Sequence, residues 1–192
     1  GVLGLAPETK IMAMRACRQI QAGLPAAECF SSSLVKALDR AITEQVQLVN
    51  FSLGTPVTDR LLSSLLEHSD EQGVVLVAAA GNDNSQQALS FPANHSAVLA
   101  VAGKDDRFYF PSEDLALKAD LVAPSEQIFS TVSGGKYNFL NGTSMSSAIV
   151  SGVLTLVLPK TSDIDRGLSI QGDNDFCSWV NRVVDFVACR NR

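Results

Sequence analysis

The sequence is short of positive charge, of histidine and of long apolar runs. Its 192 residues carry 15 Lys and Arg against 20 Asp and Glu, a formal net charge of −5. A nucleic-acid binder presents a basic face, so that class is disfavoured. The longest apolar stretch, residues 148–158, is interrupted by Ser151, Gly152 and Thr155, too short and too polar to cross a membrane. The first seven residues lack the basic start and cleavage pattern of a signal peptide. No G-x-G-x-x-G or G-x-x-x-x-G-K-[ST] follows an apparent strand, which argues against a nucleotide-binding fold. The G-x-S-x-G elbow of the α/β hydrolases is absent too, because Gly142 lies two residues before Ser144 but Ser146 lies two after it. None of the four cysteines, Cys17, Cys29, Cys177 and Cys189, sits in a C-x-x-C pair, so zinc ribbons and thioredoxin-like chemistry are disfavoured. Of the three possible connectivities spacing favours Cys17–Cys29 and Cys177–Cys189, and disulfides are preferred to four free thiols because Cys29 lies in a Gly/Pro-containing loop where a small buried thiol has little to pack against. Such bridges would place the protein in an oxidising compartment, secreted or periplasmic.

What is present is an ordinary globular composition, 46% hydrophobic and 18% charged, of a length that suits one domain. VVLVAAA at 74–80 is apolar at every position, which predicts a strand buried on both faces in a parallel sheet covered by helices. VLAVA at 98–102 reads the same way, and LVNFSL at 48–53 and DLVA at 120–123 are further strands. Residues 11–16 predict a buried strand, and 17–31 a loop carrying two cysteines, Gly23 and Pro25. Leu34, Val35, Leu38, Ala41, Ile42 and Val46 fall at helical spacing after a Ser31 or Ser32 cap. A second helix follows Thr58 and stops at Gly73, and a third runs from about Ser144 to Leu158. Gly134-Gly135 marks a hairpin between residues 130 and 140. Residues 159–192 read as an extension, a polar loop followed by a short helix at 176–188, packed on the same domain. The alternation of strand and helix predicts a three-layer α/β fold, a mostly parallel sheet with helices on both faces.

In such sheets ligands sit beyond the carboxyl ends of the strands. Three segments lie there. Gly142-Thr143-Ser144 opens an apolar helix, so the Ser144 N–H is an unpaired first-turn donor where the helix dipole favours negative charge. Gly81-Asn82 ends the most apolar strand and delivers a neutral amide donor to the same edge. Ser52-Leu53-Gly54 ends another strand and can offer N–H and C=O groups to an extended peptide. Taken singly, each has a plainer reading: a helix cap, a turn and a strand terminus.

Six segments occur together in order: GVLGLAP (1–7), VNFSLGTP (49–56), VVLVAAAGN (74–82), FPANHSAVLAVAG (91–103), DLVAPSEQIFST (120–131) and NGTSMSSAIVSG (141–152). In these the sequence resembles the subtilisin-like serine peptidases, over about residues 1–158. The resemblance implies a peptidase domain there, with Ser144 as nucleophile and Asn82 as side-chain oxyanion donor. Ser52, Leu53 and Gly54 would hold the substrate backbone, and Ala79, Ala80, Gly81 and Thr143 would line the neighbouring subsite.

A serine hydroxyl needs a base. The family orders its triad Asp, His, Ser, and neither His68 nor His95 stands in the family's histidine motif. The resemblance therefore implies that the Asp and His lie upstream of Gly1, and that this chain by itself lacks triad chemistry. Ala148-Ile149 also stand where the family has Pro and His. The expected partner is a polypeptide substrate, with an upstream segment of the same protein or a second copy covering the exposed sheet edge; no nucleic acid or membrane is expected. No cofactor is expected. Many family members bind calcium, but the acidic pairs Asp105-Asp106, Glu113-Asp114 and Asp173/Asp175 match no complete ligand loop and read as solvated loops. The alternative function is a non-catalytic module of the same fold that binds peptides or proteins.

Overall fold

In the computed structural model the described residues are 1–20, 27–83, 88–104, 109–110 and 113–158. Two short strands, β1 (Cys17–Gln19) and β2 (Ala27–Cys29), pair antiparallel with Cys17 opposite Cys29. The two cysteines are joined by a disulfide. Helix α1 (Ser31–Thr43) leads to strand β3 (Leu48–Phe51), and helix α2 (Arg60–Glu71) to β4 (Val75–Ala79). Then come β5 (Leu99–Lys104), β6 (Tyr109–Phe110), the short α3 (Glu113–Ala116) and β7 (Leu121–Pro124). A hairpin, β8 (Ile128–Val132) and β9 (Lys136–Leu140), precedes the long helix α4 (Thr143–Val157).

Strands β3, β4, β5 and β7 lie side by side and parallel, with β6 added antiparallel to the end of β5. The apolar strands explain the arrangement, because alternate residues of one strand feed two cores. On one face Leu76, Ala78 and Ala80 pack with Ala100 and Ala102 against Leu38 of α1 and Leu62 and Leu66 of α2. On the other, Val77, Val101, Leu121 and Ala123 pack against Val150, Val153 and Leu154 of α4. Burying an aliphatic side chain of this size contributes about 1.5–3 kcal/mol relative to leaving it in water. The molecule is thus helices, sheet, helix in three layers, as the all-apolar strands predict.

Local chemistry sets the element ends. Asp59, the residue after Thr58, is the cap of α2: its side chain accepts from Leu62 N at 2.8 Å. Ser31 does not cap α1. The residue before it, Phe30, holds the cap position without a side-chain bond, and the Ser31 hydroxyl bonds the Asp59 carboxylate instead. That bond, followed by the one from Leu62 N, lowers the Asp59 pKa below its ordinary 3.8. Gly73 ends α2 with φ +80°. Asp120 prolongs the β5–β7 ladder by a side chain, its Oδ2 accepting from Ala100 N at 2.7 Å.

Two expectations are corrected. Residues 11–16 form no strand, and Ile11 is 88% exposed. An apolar run supplies side chains for a sheet, but without a neighbouring strand its N–H and C=O groups find no ladder. The segment 17–31 is not simply a loop, because β1 and β2 pair across the disulfide. Cys177, Cys189 and the extension at 159–192 lie outside the described residues. Among the described residues no helix is long and apolar enough to cross a membrane.

Candidate active site

The carboxyl ends of β3 and β4 and the amino end of α4 meet around Thr143 and Ser144. Gly142 makes the approach: its φ is +120°, and a Cβ there would lie 2.8 Å from Asn82 Nδ2. Its N–H donates to Ser125 O at 2.7 Å, tying the start of α4 to the end of β7. Thr143 is buried and does not act as a helix cap. Its N–H donates to Asn82 Oδ1 at 2.8 Å, and its hydroxyl donates to the same oxygen at 3.0 Å. That hydroxyl in turn accepts from Gly81 N at 3.2 Å.

These bonds fix the amide. A backbone N–H can only donate, so the Asn82 atom facing Thr143 is the oxygen and the NH2 group is turned away from it. Asn82 itself is exposed. In the first turn of α4, Thr143 N–H is taken by Asn82 and Met145 N–H by Gly142 O at 2.9 Å. The Ser144 N–H lies between them with no acceptor in the helix. The Ser144 N–H thus stands unpaired next to its own half-buried hydroxyl, with the Asn82 amide anchored on the residue before it.

The Ser144 hydroxyl donates to Ser52 O at 3.2 Å. Around that contact runs a polar chain inside otherwise apolar elements. The Ser52 hydroxyl donates to Ser144 O at 3.0 Å and lies 3.1 Å from Ser147 Oγ. Asn50 Nδ2 donates to Ser52 Oγ at 2.8 Å, and Ser151 Oγ donates to Asn50 Oδ1 at 3.2 Å. Sequence reasoning missed Asn50, Ser147 and Ser151. The available signal was a polar Asn in the middle of LVNFSL, and two serines four apart on an apolar helix.

The remaining predicted residues are placed as follows. Leu53 is half-buried and Gly54 exposed beyond the end of β3. Ala79 and Ala80 are buried in the sheet, and Gly81 is half-exposed. Gly54 and Gly81 both press on Ser90: an added Cβ would lie 2.8 Å from Ser90 Cβ at Gly54 and 2.4 Å from Ser90 Oγ at Gly81. Thr55 and Phe91 exchange backbone bonds of 2.9 and 2.8 Å, and Ser90 N donates to Ala80 O at 3.0 Å. The segment at 90–91 thus bonds to the chain beyond both strand ends.

Both histidines are engaged on the α2 side. His68 Nδ1 lies 3.7 Å from Glu71, and His95 Nε2 lies 3.9 Å from Glu67. His95 Nδ1 also accepts from Ala97 N at 3.2 Å. Among the described residues no group of three or more His, Cys, Asp or Glu is arranged to hold a metal ion.

A parallel sheet between helices, with Ser144 at a helix start beyond the strand ends, is an α/β architecture of subtilisin type. Comparison with known proteins agrees: the subtilase family model matches residues 1–167, and the chain belongs to that family. It is 32% identical over 166 residues to Subtilisin DY of Bacillus licheniformis, covering 83% of this chain and 58% of that protein. Against Subtilisin E of Bacillus subtilis (strain 168) the identity is also 32%, covering 83% of this chain and 42% of the relative. The chain therefore spans about half the length of these relatives. Among solved structures it resembles the prenylagaramide maturation protease PagA, with TM-score 0.62 and 29% identity over 71% of this chain and 52% of that one. It also resembles the self-cleaved protease domain of PatA, with TM-score 0.59 and 32% identity over 67% and 51% of the two chains.

Proposed function

We propose that the protein hydrolyses peptide bonds, with Ser144 as the nucleophile and Asn82 Nδ2 together with Ser144 N–H as the oxyanion donors. The observation that carries this reading is the double anchoring of Asn82 Oδ1 by Thr143 N and Thr143 Oγ1. An amide held by its oxygen keeps its N–H bonds aimed where charge develops, with no reorganisation needed at the moment of reaction. The substrate backbone runs along Ser52, Leu53 and Gly54, and Ala79, Ala80, Gly81 and Thr143 bound the adjoining subsite. The peptidase domain covers residues 1–158, and 159–192 form an extension to it.

The base is the part this chain does not supply. His68 and His95 lie beside glutamates of α2, and the Ser144 hydroxyl donates to a main-chain carbonyl, which cannot take its proton. The Asp and His of the triad come from polypeptide outside these 192 residues. The reaction itself calls for no cofactor. The Cys17–Cys29 disulfide supports an oxidising, extracellular or periplasmic setting. The Ser144 hydroxyl's bond to a main-chain carbonyl favours a second reading for the 192 residues alone: a module that holds peptides without cleaving them.

Labelling of the whole protein with a fluorophosphonate, beside its Ser144→Ala variant, tests the assignment. Labelling that depends on Ser144 is expected. Labelling retained in the variant would remove Ser144 from the nucleophile role, and no labelling of either would favour the peptide-holding module.

A further inference from the structure

Strand β3 carries an asparagine in the row where its neighbour β4 carries a buried valine. Side chains alternate along a strand, so Leu48, Asn50 and Ser52 share one face and Val49 and Phe51 the other. Val49 and Phe51 pack in the core under α1 and α2, and Leu48 in the core under α4. Asn50 is therefore on the α4 face, in register with Val77, which is fully buried there. Helix α4 meets it with serines. Ser147 and Ser151 are both buried, and four residues apart they lie on one face of the helix. The spacings match, because two residues of strand advance about 6.6 Å and four of helix about 6 Å. Ser147 Oγ thus lies 3.1 Å from Ser52 Oγ, and Ser151 Oγ 3.2 Å from Asn50 Oδ1. Asn50 is exposed at the sheet edge, yet both ends of its amide are bonded.

The direction of every bond follows from one atom. The Ser144 carbonyl can only accept, so the Ser52 hydroxyl turns its single proton there, at 3.0 Å. What faces the Ser52 hydroxyl oxygen from Asn50 is then a donor, the NH2 group at 2.8 Å. Asn50 Oδ1 is left facing Ser151, whose hydroxyl donates to it. The donors run one way, from Ser151 to Asn50 to Ser52 to Ser144. Ser52 also accepts from the Ser144 hydroxyl through its own carbonyl at 3.2 Å, so the two residues are bonded to each other twice. Ser147 Oγ is the competing acceptor for the Ser52 proton. Without the amide against its oxygen, the Ser52 hydroxyl is free to rotate toward Ser147 and give up one of the two bonds to Ser144.

We infer that Asn50 is a positioning residue for the Ser144 nucleophile, acting through the Ser52 hydroxyl that it orients. The inference rests on the reading of Ser144 as nucleophile and adds to it a residue two positions before the substrate-binding strand end. Loss of one hydrogen bond of ordinary net strength corresponds to a change in rate of about threefold to tenfold.

The test uses the whole protein and saturation kinetics of fluorophosphonate labelling. The wild type, Asn50→Leu, Ser52→Ala and the double variant are compared, with rates taken per folded molecule from urea curves. Asn50→Leu is expected to lower the labelling rate at saturating probe about threefold to tenfold. The half-saturating probe concentration should stay unchanged, since the nucleophile is disturbed and the probe's site is not. In the Ser52→Ala background Asn50→Leu should have no further effect, because the hydroxyl it acts through is gone. Labelling of Asn50→Leu at the wild-type rate would overturn the inference, and so would a slowing that persists in full beside Ser52→Ala. A change confined to the half-saturating concentration would make Asn50 part of the binding surface and overturn it too. No labelling of the wild type would remove the nucleophile reading, and this inference with it.

Discussion

Thr143 holds Asn82 by one atom and two bonds: its amide nitrogen and its hydroxyl both reach Asn82 Oδ1, at 2.8 and 3.0 Å. One of these donors is main chain and survives any substitution. The other is not. Thr143→Val keeps the shape of the side chain and removes the hydroxyl, which also deprives Gly81 N of its acceptor. Since Thr143 is buried, the loss is expected to cost about 1–3 kcal/mol in urea denaturation. In the whole protein, fluorophosphonate labelling should slow as well, because the amide is then held by one bond.

Asn82→Leu removes the amide donor. If the whole protein cleaves peptides as proposed, turnover falls by about 10²–10³, a magnitude established on a subtilisin itself and carried over here. KM for a peptide substrate should change much less, since the donor acts on charge that forms only during reaction. An equal loss in KM would instead mark Asn82 as a ground-state binding residue.

Gly142→Ala places a methyl group 2.8 Å from Asn82 Nδ2 on a residue whose φ is +120°. Strain and contact act in the same direction, and a loss of about 1–3 kcal/mol is expected. Gly134→Ala is the control. It shares a positive φ but meets nothing within 4 Å, so it should cost less and leave labelling at Ser144 unchanged. Comparing the two by urea denaturation separates backbone strain from pressure on Asn82.

The acid limb of stability should carry a signature of Asp59. Its carboxyl is held below the ordinary 3.8 by the Ser31 hydroxyl first and Leu62 N second. A group with a depressed folded pKa stabilises the fold above its unfolded value, and the benefit fades as pH falls through the folded one. Asp59→Ala should therefore cost about 1 kcal/mol at neutral pH as a lost cap, and the difference from wild type should shrink below pH 3.8. Urea midpoints measured from pH 2 to pH 7 decide it.

Strand β3 pairs with β4 on one side, and among the described residues no strand pairs with its other side. Exposed Leu3, Ile11 and Ile20 add apolar surface in the preceding segment. Such an edge invites pairing, so light scattering of the 192-residue chain should show mass rising with concentration. A clean monomer at high concentration would overturn this expectation.

The sheet was legible chiefly from β4, apolar at every position, and from the nearly unbroken apolar run of β5, a pattern that suits two covered faces. The segment at 11–16 is mostly apolar and forms no strand, because composition reports the side chains a strand offers and not the neighbour it needs. The β1–β2 pair escaped notice since three-residue strands carry too little pattern beside glycine and proline. Around Ser144, the residues at strand ends and at the helix start could be named from topology alone. The bonds between them could not. Thr143 reads in sequence as a cap or a contact, and only the fold brings Asn82, sixty-one residues away, against it. Asn50, Ser147 and Ser151 were hidden for the same reason, as polar residues whose partners lie about a hundred positions off.

Because a main-chain N–H dictates which end of the Asn82 amide turns inward, the position discriminates between two side chains of equal size. Asn82→Asp would keep both of its tethers, since a carboxylate accepts from Thr143 as readily as an amide oxygen does. Its second oxygen would then face the place where a tetrahedral adduct builds up negative charge, and an attraction would become a repulsion without any atom having moved.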